Sequence, residues 1–409
     1  MISVSEALAR IVAATPVLGA ERVAMVDAAG RVAAEDVRAD RLVPAAANSA
    51  MDGFAVRHAD VAAGPARLRI LAVEPAGTVT DAVVRAGTAV KLFTGSVIPA
   101  GADTVVKVED TEEEADGHVT VRVAPKLRAN VREAGEDVRP GQVVVSAGTV
   151  LGPADLGILA SVGRATLVVH RRPRVAIVAT GSELVEVDET PGPGQVVNTN
   201  AYALAAAVRE AGGVPVVFPI VRDRPEDLRA RLADALAADV VLTTGGVSVG
   251  ALDYVKDALA ALGVEQVFWK VAQKPGKPLA FGRRDGRLVF GLPGNPVSAL
   301  VCFAVYVRPA LRRMQGHRRI HLPVVPARLA SATRKAKGLT EFLRVRLTGG
   351  PEGAVATPFR EQGSGVLTSL GAGAGLLVGP AEPAELPAGE TYPVLVLAAE
   401  TLAREAAPF

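Results

Sequence analysis

The feature that most constrains the fold is an alternation of strand-like and helix-like segments over residues 174–315. Short runs rich in Val, Leu and Ile alternate with longer segments whose apolar residues recur at helical spacing. This alternation predicts a parallel sheet with helices on both faces, in which ligands bind at the carboxyl ends of the strands. The predicted strands are 175–179, 214–220, 240–243, 264–269 and 288–290, and the predicted helices are 201–211, 226–237, 253–262 and 297–314.

Three glycine-rich loops interrupt this part of the chain. Their sequences are Thr-Thr-Gly-Gly-Val-Ser-Val-Gly (243–250), Lys-Pro-Gly-Lys-Pro (274–278) and Gly-Leu-Pro-Gly-Asn-Pro-Val-Ser (291–298). Glycine lets backbone N–H groups approach an anion, and a turn that opens a helix adds the positive end of the helix dipole. Lys274 and Lys277 flank a stiff Pro-Gly turn that can direct two ammonium groups to one oxyanion. Any one loop could simply end a strand, but three together predict an anion site.

Three acidic residues, Glu183, Asp223 and Asp253, each come just after a predicted strand. Convergent carboxylates suit Mg²⁺, a hard cation that shares oxygen ligands with substrate phosphate. Asp223 and Asp253 are equally well placed to cap the helices that follow them. Because capping and ligation do not exclude each other, both residues remain candidate ligands of a Mg²⁺ cofactor.

Other catalytic signatures fit less well. Residues 246–250 match the G-x-S-x-G pattern of a nucleophile elbow, but only His317 and His321 follow, beside the exit from the predicted domain. The chain carries neither a Walker motif nor a dinucleotide fingerprint after the first strand of the α/β region. Its single cysteine, Cys302, lies in an apolar run and is predicted to be a buried core thiol.

The two ends of the chain have a different pattern. A first helix is predicted over residues 3–12, with Ser3 as N-cap and Glu6 in a capping box. Short β-rich runs follow and read as half-buried antiparallel strands, with an acid-rich hairpin tip at 110–117 and a helix at 152–163. The predicted strands are 89–93, 104–108, 119–123 and 142–145, and near the carboxyl terminus 323–329, 342–347, 376–378 and 391–397.

Length and charge narrow the function classes. With 409 residues the chain exceeds what one hydrophobic core usually serves, so two to four domains are expected. Forty-five Lys and Arg against 43 Asp and Glu leave a net charge of +2, which is too small to attract nucleic acid or a membrane surface. Neither a leader-like amino terminus nor an 18-residue apolar stretch is found. A cytoplasmic protein is expected.

At the glycine-rich loops the chain resembles the molybdopterin molybdenumtransferases, the molybdate insertases of molybdenum cofactor biosynthesis, which include gephyrin E-domain-like proteins. The 244–250 loop with Asp253-Tyr, the 274–278 loop and the 291–298 loop carry the resemblance. Further segments are similar to the family's other signatures, in order, over essentially all 409 residues: Asn48-Ser-Ala-Met-Asp-Gly-Phe-Ala, Phe93-Thr-Gly, Gly135-Glu-Asp-Val-Arg, Thr180-Gly-Ser-Glu-Leu and Gln362-Gly-Ser.

The resemblance implies a multidomain α/β plus β architecture. A central parallel α/β sheet domain of the molybdopterin-binding type is expected at 173–318, and a C-terminal β domain at 319–409. An elongated linker and dimerisation domain would be built from 1–47 and 139–172, with a β domain inserted at 48–138. The resemblance also implies a homodimer whose cleft combines the α/β domain of one subunit with the inserted domain of the other.

The reaction implied by the resemblance uses adenylylated molybdopterin and molybdate, forms the molybdenum cofactor and releases AMP, with Mg²⁺ assisting. Asp223, Asp253 and Ser248, with Glu183 nearby, would be the catalytic residues that hold nucleotide phosphates or the metal. Lys274, Lys277, Arg344 and Ser364 would receive the oxyanion. The other substrate-binding residues would be Gly245, Gly246, Pro278, Gly294, Asn295, Ser298, Asp52, Thr94 and Asp137.

The chain departs from the family pattern at two positions. Ala47 stands where the family usually has an acid, and Gly365 stands where it usually has a histidine. A molybdopterin adenylyltransferase is the nearest alternative, although nucleotidyl transfer does not require the two-segment N-terminal half. A non-enzymatic scaffold is a more distant one. Enzymes that deliver the substrate or accept the cofactor are expected partners.

Overall fold

The computed structural model describes residues 1–222, 224–245, 251–350, 353–371 and 374–397, without the side chains of 251–253 and 350. It contains two compact units. One comprises 1–21, 30–32 and 170–409, and the other comprises 22–29 and 33–169. None of the described helices is long and apolar enough to cross a membrane.

Several helices begin where the sequence supplies a side-chain cap or a proline. At the amino terminus, Ser3 Oγ accepts a hydrogen bond from Glu6 N at 3.1 Å, as predicted, while the Glu6 carboxylate pairs with Arg10 instead of completing the capping box. The helices are α1 Val4–Ala14, α2 His58–Val61, α3 Pro153–Ser161, α4 Thr199–Glu210, α5 Pro225–Ala235, α6 Ala251–Ala261, α7 Pro296–Cys302 and α8 Arg308–Met314.

The strands in chain order are β1 Ala20–Ala24, β2 Val37–Arg38, β3 Asn48–Ser49, β4 Gly53–Val56, β5 Ala66–Glu74, β6 Thr88–Leu92, β7 Thr104–Lys107, β8 Thr111–Glu113, β9 His118–Val121, β10 Val131–Arg132, β11 Val143–Val145, β12 Thr166–His170, β13 Arg174–Ala179, β14 Leu184–Val185, β15 Val196–Val197, β16 Val214–Val217, β17 Val240–Thr244, β18 Glu265–Trp269, β19 Gln273–Lys274, β20 Ala280–Arg284, β21 Arg287–Leu292, β22 Val324–Leu329, β23 Thr333–Arg334, β24 Thr340–Gly350, β25 Gly353–Pro358, β26 Ala374–Gly379, β27 Glu385–Leu386 and β28 Thr391–Val396.

The predicted α/β sheet runs in the order β16, β13, β17, β21, β20, β18. Its first four strands are parallel, as predicted. The sequence did not predict β20, which is antiparallel to both of its neighbours. Its Gly282 and two arginines resemble a turn more than a strand. The strands that carry the glycine-rich loops at 243–250 and 291–298 therefore lie side by side.

Both faces of this sheet are buried, which is why its strands read as continuous apolar runs. Ile177 and other residues on one face pack against α1, α4, α7 and α8, whereas Ala176 and Val178 pack against α5 and α6 on the opposite face. The predicted 297–314 helix is interrupted by a π-helical turn at Phe303–Val307. Pro309, which follows this turn, has no N–H to donate to the preceding turn of helix.

The C-terminal β region forms a closed barrel. Its strands follow the order β24, β25, β22, β28, β26, and β26 also pairs with β24. Strand β19, from the 274–278 loop region, adds to this barrel by pairing parallel with β24, so that Lys274 lies beside Glu341. Lys274 Nζ is 3.1 Å from Glu341 Oε1, and the Glu341 side chain is only 4% exposed. The second Glu341 oxygen accepts a hydrogen bond from Ala336 N at 2.9 Å.

The other compact unit contains a mixed sheet in the order β7, β4, β6, β5, β9, β8. Strand β6 was predicted to be antiparallel; it is antiparallel to β4 but parallel to β5. The sequence did not predict β5, whose alternation is broken by a register shift between Ile70 and Ala72. The predicted acidic hairpin is present, formed by β8 and β9. Helix α3 starts at Pro153, and Gly163 adopts a positive φ just beyond its end, as predicted.

The buried Glu341 gives a test of how the barrel is held to the rest of its unit. We expect Lys274→Ala to lower the free energy of unfolding by about 1–3 kcal/mol, because it leaves a buried carboxylate with one hydrogen bond. Lys277→Ala, at an exposed position in the same loop, is the matched control. It should change the free energy of unfolding by less than about 0.5 kcal/mol. Urea unfolding measures both values.

A Lys274→Met, Glu341→Gln double variant should recover part of the lost stability, because it removes the unpaired charge. Equal unfolding midpoints for Lys274→Ala and Lys277→Ala would show that the ion pair contributes nothing measurable.

Candidate functional site

An open cleft of about 780 Å³ lies at the carboxyl ends of β13, β17 and β21, where the sequence predicted the site. Its lining includes polar residues, such as Glu183 and Asn200, and apolar residues, such as Leu184 and Val197. It is lined by Thr180, Glu183, Leu184, Val196, Val197, Asn198, Thr199, Asn200, Thr244, Gly245, Pro278, Pro293, Gly294, Asn295, Pro296, Gly365 and Leu367.

The floor of the cleft is a close contact between the ends of neighbouring strands. Thr180 N donates to Thr244 O at 2.9 Å, which extends the β13–β17 ladder by one step. Gly245 has φ +87°, and a Cβ there would lie 2.1 Å from Thr180 O. Gly294 packs on the same residue, since a Cβ added to it would lie 3.5 Å from Gly245 Cα. The two glycines therefore bring the 243–250 and 291–298 loops into contact.

The predicted carboxylate group is only partly within the described residues. Glu183 lines the cleft and is exposed, with its side chain over Gly181, where an added Cβ would lie 2.6 Å from Glu183 Oε1. Gly246, Ser248 and Asp223 lie outside the described residues. Asp253 falls in the first turn of α6, and its side chain is outside the description. Within the described part, no cluster of three or more acidic, His or Cys side chains is arranged to hold a metal.

The 274–278 loop is shaped from beneath by buried groups that the sequence analysis missed. Gln273 is fully buried, and its Nε2 donates to Pro275 O at 3.0 Å, while Tyr306 OH donates to its Oε1. A Cβ on Gly276 would lie 2.4 Å from Cys302 Sγ, so only glycine fits this turn. Burial raises the pKa of Cys302 to about 12, in accord with the predicted core thiol.

Within this loop the predicted site residues have different surroundings. Pro278 lines the cleft, whereas Lys274 is paired with Glu341. Lys277 is exposed, and no carboxylate of the described residues lies within ion-pair distance of it. Outside this loop, the predicted site residue Ser298 is buried inside α7 and is not among the residues that line the cleft. Lys277 is therefore the less neutralised of the two lysines.

The barrel reaches the cleft through the turn that contains Ser364. Asn295 Nδ2 donates to Ser364 Oγ at 2.8 Å, which brings together two predicted site residues that are 69 positions apart. Arg344 is 2% exposed and donates to Ser369 Oγ and to Gly363 O, both at 3.0 Å. Its guanidinium, on the face of β24 opposite the barrel core, thus holds this turn in place. Direct contact between Arg344 and an oxyanion stays a prediction.

Two of the three predicted residues of the other unit, Asp52 and Thr94, contact each other. Asp52 Oδ1 accepts hydrogen bonds from Thr94 N at 2.7 Å and from Thr94 Oγ1 at 2.8 Å, across 42 positions of sequence. These bonds lower the pKa of Asp52. Asp137 is exposed in a separate turn, where its N–H donates to Val43 O at 3.1 Å.

Asn200, which the sequence did not single out, is part of the cleft lining. Asn200 is the second residue of α4, and its Nδ2 lies 2.7 Å from Thr244 Oγ1 and 2.7 Å from Gly294 O. It therefore forms hydrogen bonds with the 243–250 loop and with the 291–298 loop. The only sequence signal was the run Asn198-Thr199-Asn200 just before a predicted helix, which reads simply as capping.

Three family models cover most of the chain. The model described as the MoeA N-terminal region (domain I and II) matches residues 2–163. A probable molybdopterin binding domain matches 176–313, and the MoeA C-terminal region (domain IV) matches 326–397.

Known proteins agree with these matches over longer stretches. Molybdopterin molybdenumtransferase 1 of Mycobacterium tuberculosis is 39% identical over 369 residues, which cover 85% of this chain and 86% of the relative. Molybdopterin molybdenumtransferase of Nostoc sp. is 41% identical over 295 residues, covering 70% of this chain and 67% of the relative. A crystal structure of the molybdopterin biosynthesis MoeA protein from Pyrococcus horikoshii OT3 superposes with a TM-score of 0.82 at 30% identity, covering 97% of this chain and 100% of that one. The glycine-rich loops, the cleft that they form and this full-length similarity together establish that the chain belongs to the MoeA family of molybdopterin molybdenumtransferases.

Proposed function

We propose that this protein inserts molybdenum from molybdate into adenylylated molybdopterin, forming the molybdenum cofactor and releasing AMP. The observation that carries the proposal is the open cleft at the carboxyl ends of β13, β17 and β21. The 243–250 and 291–298 loops, Pro278 and Gly365 all contribute to its lining. The names of relatives at 39% and 41% identity support the same transferase activity.

The cleft offers groups for each part of such a substrate. Helix α4 starts at Thr199 on its wall, so the positive end of a 12-residue helix lies at the cleft, where it would favour a phosphate group. Leu184, Val196 and Val197 supply an apolar surface suited to a heterocyclic ring. Glycines at 245 and 294 let the two loops pack closely against each other at this end of the sheet.

The oxyanion is assigned to the rim of the cleft beside the barrel. Lys277, the neighbour of the cleft-lining Pro278, would supply an exposed ammonium group there, and Asn295 with Ser364 would supply neutral donors. Lys274 contributes less positive charge, because Glu341 already neutralises it. Arg344 acts by holding the turn that presents Ser364.

Mg²⁺ is the cofactor in the proposed reaction. Its ligands would be Asp223 and Asp253, with Glu183 nearby and Ser248 on the phosphates. Glu183 fits a cation site, because its carboxylate lines the cleft and accepts no hydrogen bond from another described residue. Bound Mg²⁺ would neutralise charge on the phosphates of the substrate.

The active unit is assigned as a homodimer in which Asp52, Thr94 and Asp137 of one subunit complete the cleft of the other. The Asp52–Thr94 hydrogen bonds support this role, because they hold an ionised carboxylate and a hydroxyl together on an exposed turn. Molybdenum cofactor synthesis enzymes and acceptor enzymes would be further partners.

The first test measures AMP release from adenylylated molybdopterin with Mg²⁺, with and without molybdate. Release should depend on molybdate, and Lys277→Ala should raise the half-saturating molybdate concentration about tenfold or more, because it removes a charged donor. Lys337→Ala removes the same charge from an exposed turn between β23 and β24 and serves as the control.

AMP release that does not depend on molybdate would indicate simple hydrolysis. Consumption of molybdopterin together with ATP would indicate an adenylyltransferase. An unchanged molybdate requirement in Lys277→Ala would remove Lys277 from the oxyanion site.

Mixing two impaired variants tests the shared cleft, with activity measured at a molybdate concentration far below the half-saturating value of Lys277→Ala. Asp52→Asn and Lys277→Ala affect residues of different compact units. If one cleft takes both residues from different chains, mixed dimers should have one intact cleft and recover up to about half of the activity per dimer. Each variant alone, taken through the same dissociation and reassembly, is the control. A mixture no more active than the average of the two controls contradicts a shared cleft.

A further inference from the structure

The side chain of Asn200 joins the two glycine-rich loops that form the floor of the cleft. Its Nδ2 lies 2.7 Å from Thr244 Oγ1, at the end of β17, and 2.7 Å from Gly294 O, in the turn between β21 and α7. The β17–β21 ladder ends at Thr244 and Leu292. Beyond it, Gly245 and Gly294 pack together without side chains, so among the described residues the Asn200 amide supplies a side-chain link between the two loops.

The orientation of this amide follows from chemistry. A carbonyl oxygen can only accept, so the NH₂ group of Asn200 must face Gly294 O. Its second N–H is then available to Thr244 Oγ1, which accepts it while keeping its own proton for another acceptor. Both donors of the amide are used within the protein.

The remaining polar atom, Asn200 Oδ1, is an acceptor without a donor among the described residues. No N–H or O–H group in the described residues donates to it. Asn200 is half-buried and lines the cleft beside Thr199 and Gly245. An amide held by two short bonds presents its free oxygen in one fixed direction, which is the property of a specificity-determining acceptor.

We propose that Asn200 is a positioning residue that locks the two loops through Nδ2 and that its Oδ1 accepts a hydrogen bond from an amino or hydroxyl group of the nucleotide part of the substrate. The second half of this inference rests on the proposed function. The first half does not, because it concerns contacts within the chain. A ligand without a donor at that place would leave Oδ1 without a partner and bind less tightly.

The two halves are tested separately in the full-length protein. Hydrogen exchange reports the link between the loops: Asn200→Ala and Asn200→Asp should speed amide exchange at Gly245 and Gly294 about tenfold or more. Asp keeps the size and an acceptor oxygen but places an oxygen opposite Gly294 O, so it should loosen the loops at least as much as Ala. Unchanged exchange in both variants would overturn the positioning role.

Calorimetry with AMP and Mg²⁺ reports the acceptor. We expect Asn200→Ala to weaken AMP binding about ten- to a hundredfold, from the loss of one hydrogen bond and of loop order. Ser3→Ala is the control, because it removes the N-cap of α1 and so lowers stability away from the cleft. Its affinity for AMP should equal that of the parent protein. Equal AMP affinity in Asn200→Ala overturns the acceptor role, whereas absence of AMP binding to the parent protein counts against the proposed function and leaves the exchange result standing.

Discussion

The candidate site depends on the parallel pairing of β13, β17 and β21. Because all three strands point the same way, their carboxyl ends meet at one edge, and each loop leaves the sheet on the same side. The ladder continues one step past β13, through Thr180 N and Thr244 O. That step places Thr180 O where a side chain at 245 would have to be, so the loop can follow this path only with glycine. The shape of the cleft floor is thus a consequence of strand register.

A second constraint is the buried polar network that joins the barrel to the α/β sheet. Gln273 and Lys274 pair with β24, Glu341 receives the Lys274 ammonium, and Tyr306 holds Gln273 from the π-helical turn. Buried polar groups of this kind are costly if any partner is lost, which favours one arrangement of the loop over others. In the same network Glu341 forms an ion pair with only one of two lysines that look equivalent in the sequence. Their different surroundings divide the loop between a structural role and a binding role.

Much of the fold could be predicted because it rests on local patterns. Apolar runs at strand length, helical spacing and the Ser3 cap each depend on a few neighbouring residues, and these elements are present. Strands β5 and β20 were missed, since a register shift interrupts the alternation of one and a glycine with two arginines interrupts the other. The π-helical turn at Phe303–Val307 and the closure of the barrel depend on contacts between distant segments, which a local pattern does not reveal.

By itself the sequence determined the kind of site and its place in the fold: glycine-rich loops after buried strands, carboxylates and lysines nearby, and an ordered set of segments shared with one family. The tertiary structure alone decided which of these groups meet. Asn200 contacts Gly294 across 94 positions, Asn295 contacts Ser364 across 69, and Asp52 contacts Thr94 across 42. Hydrogen bonds have short range and strict direction. Whether two such residues interact is therefore set by strand register and helix packing, which bring together groups that are far apart in sequence.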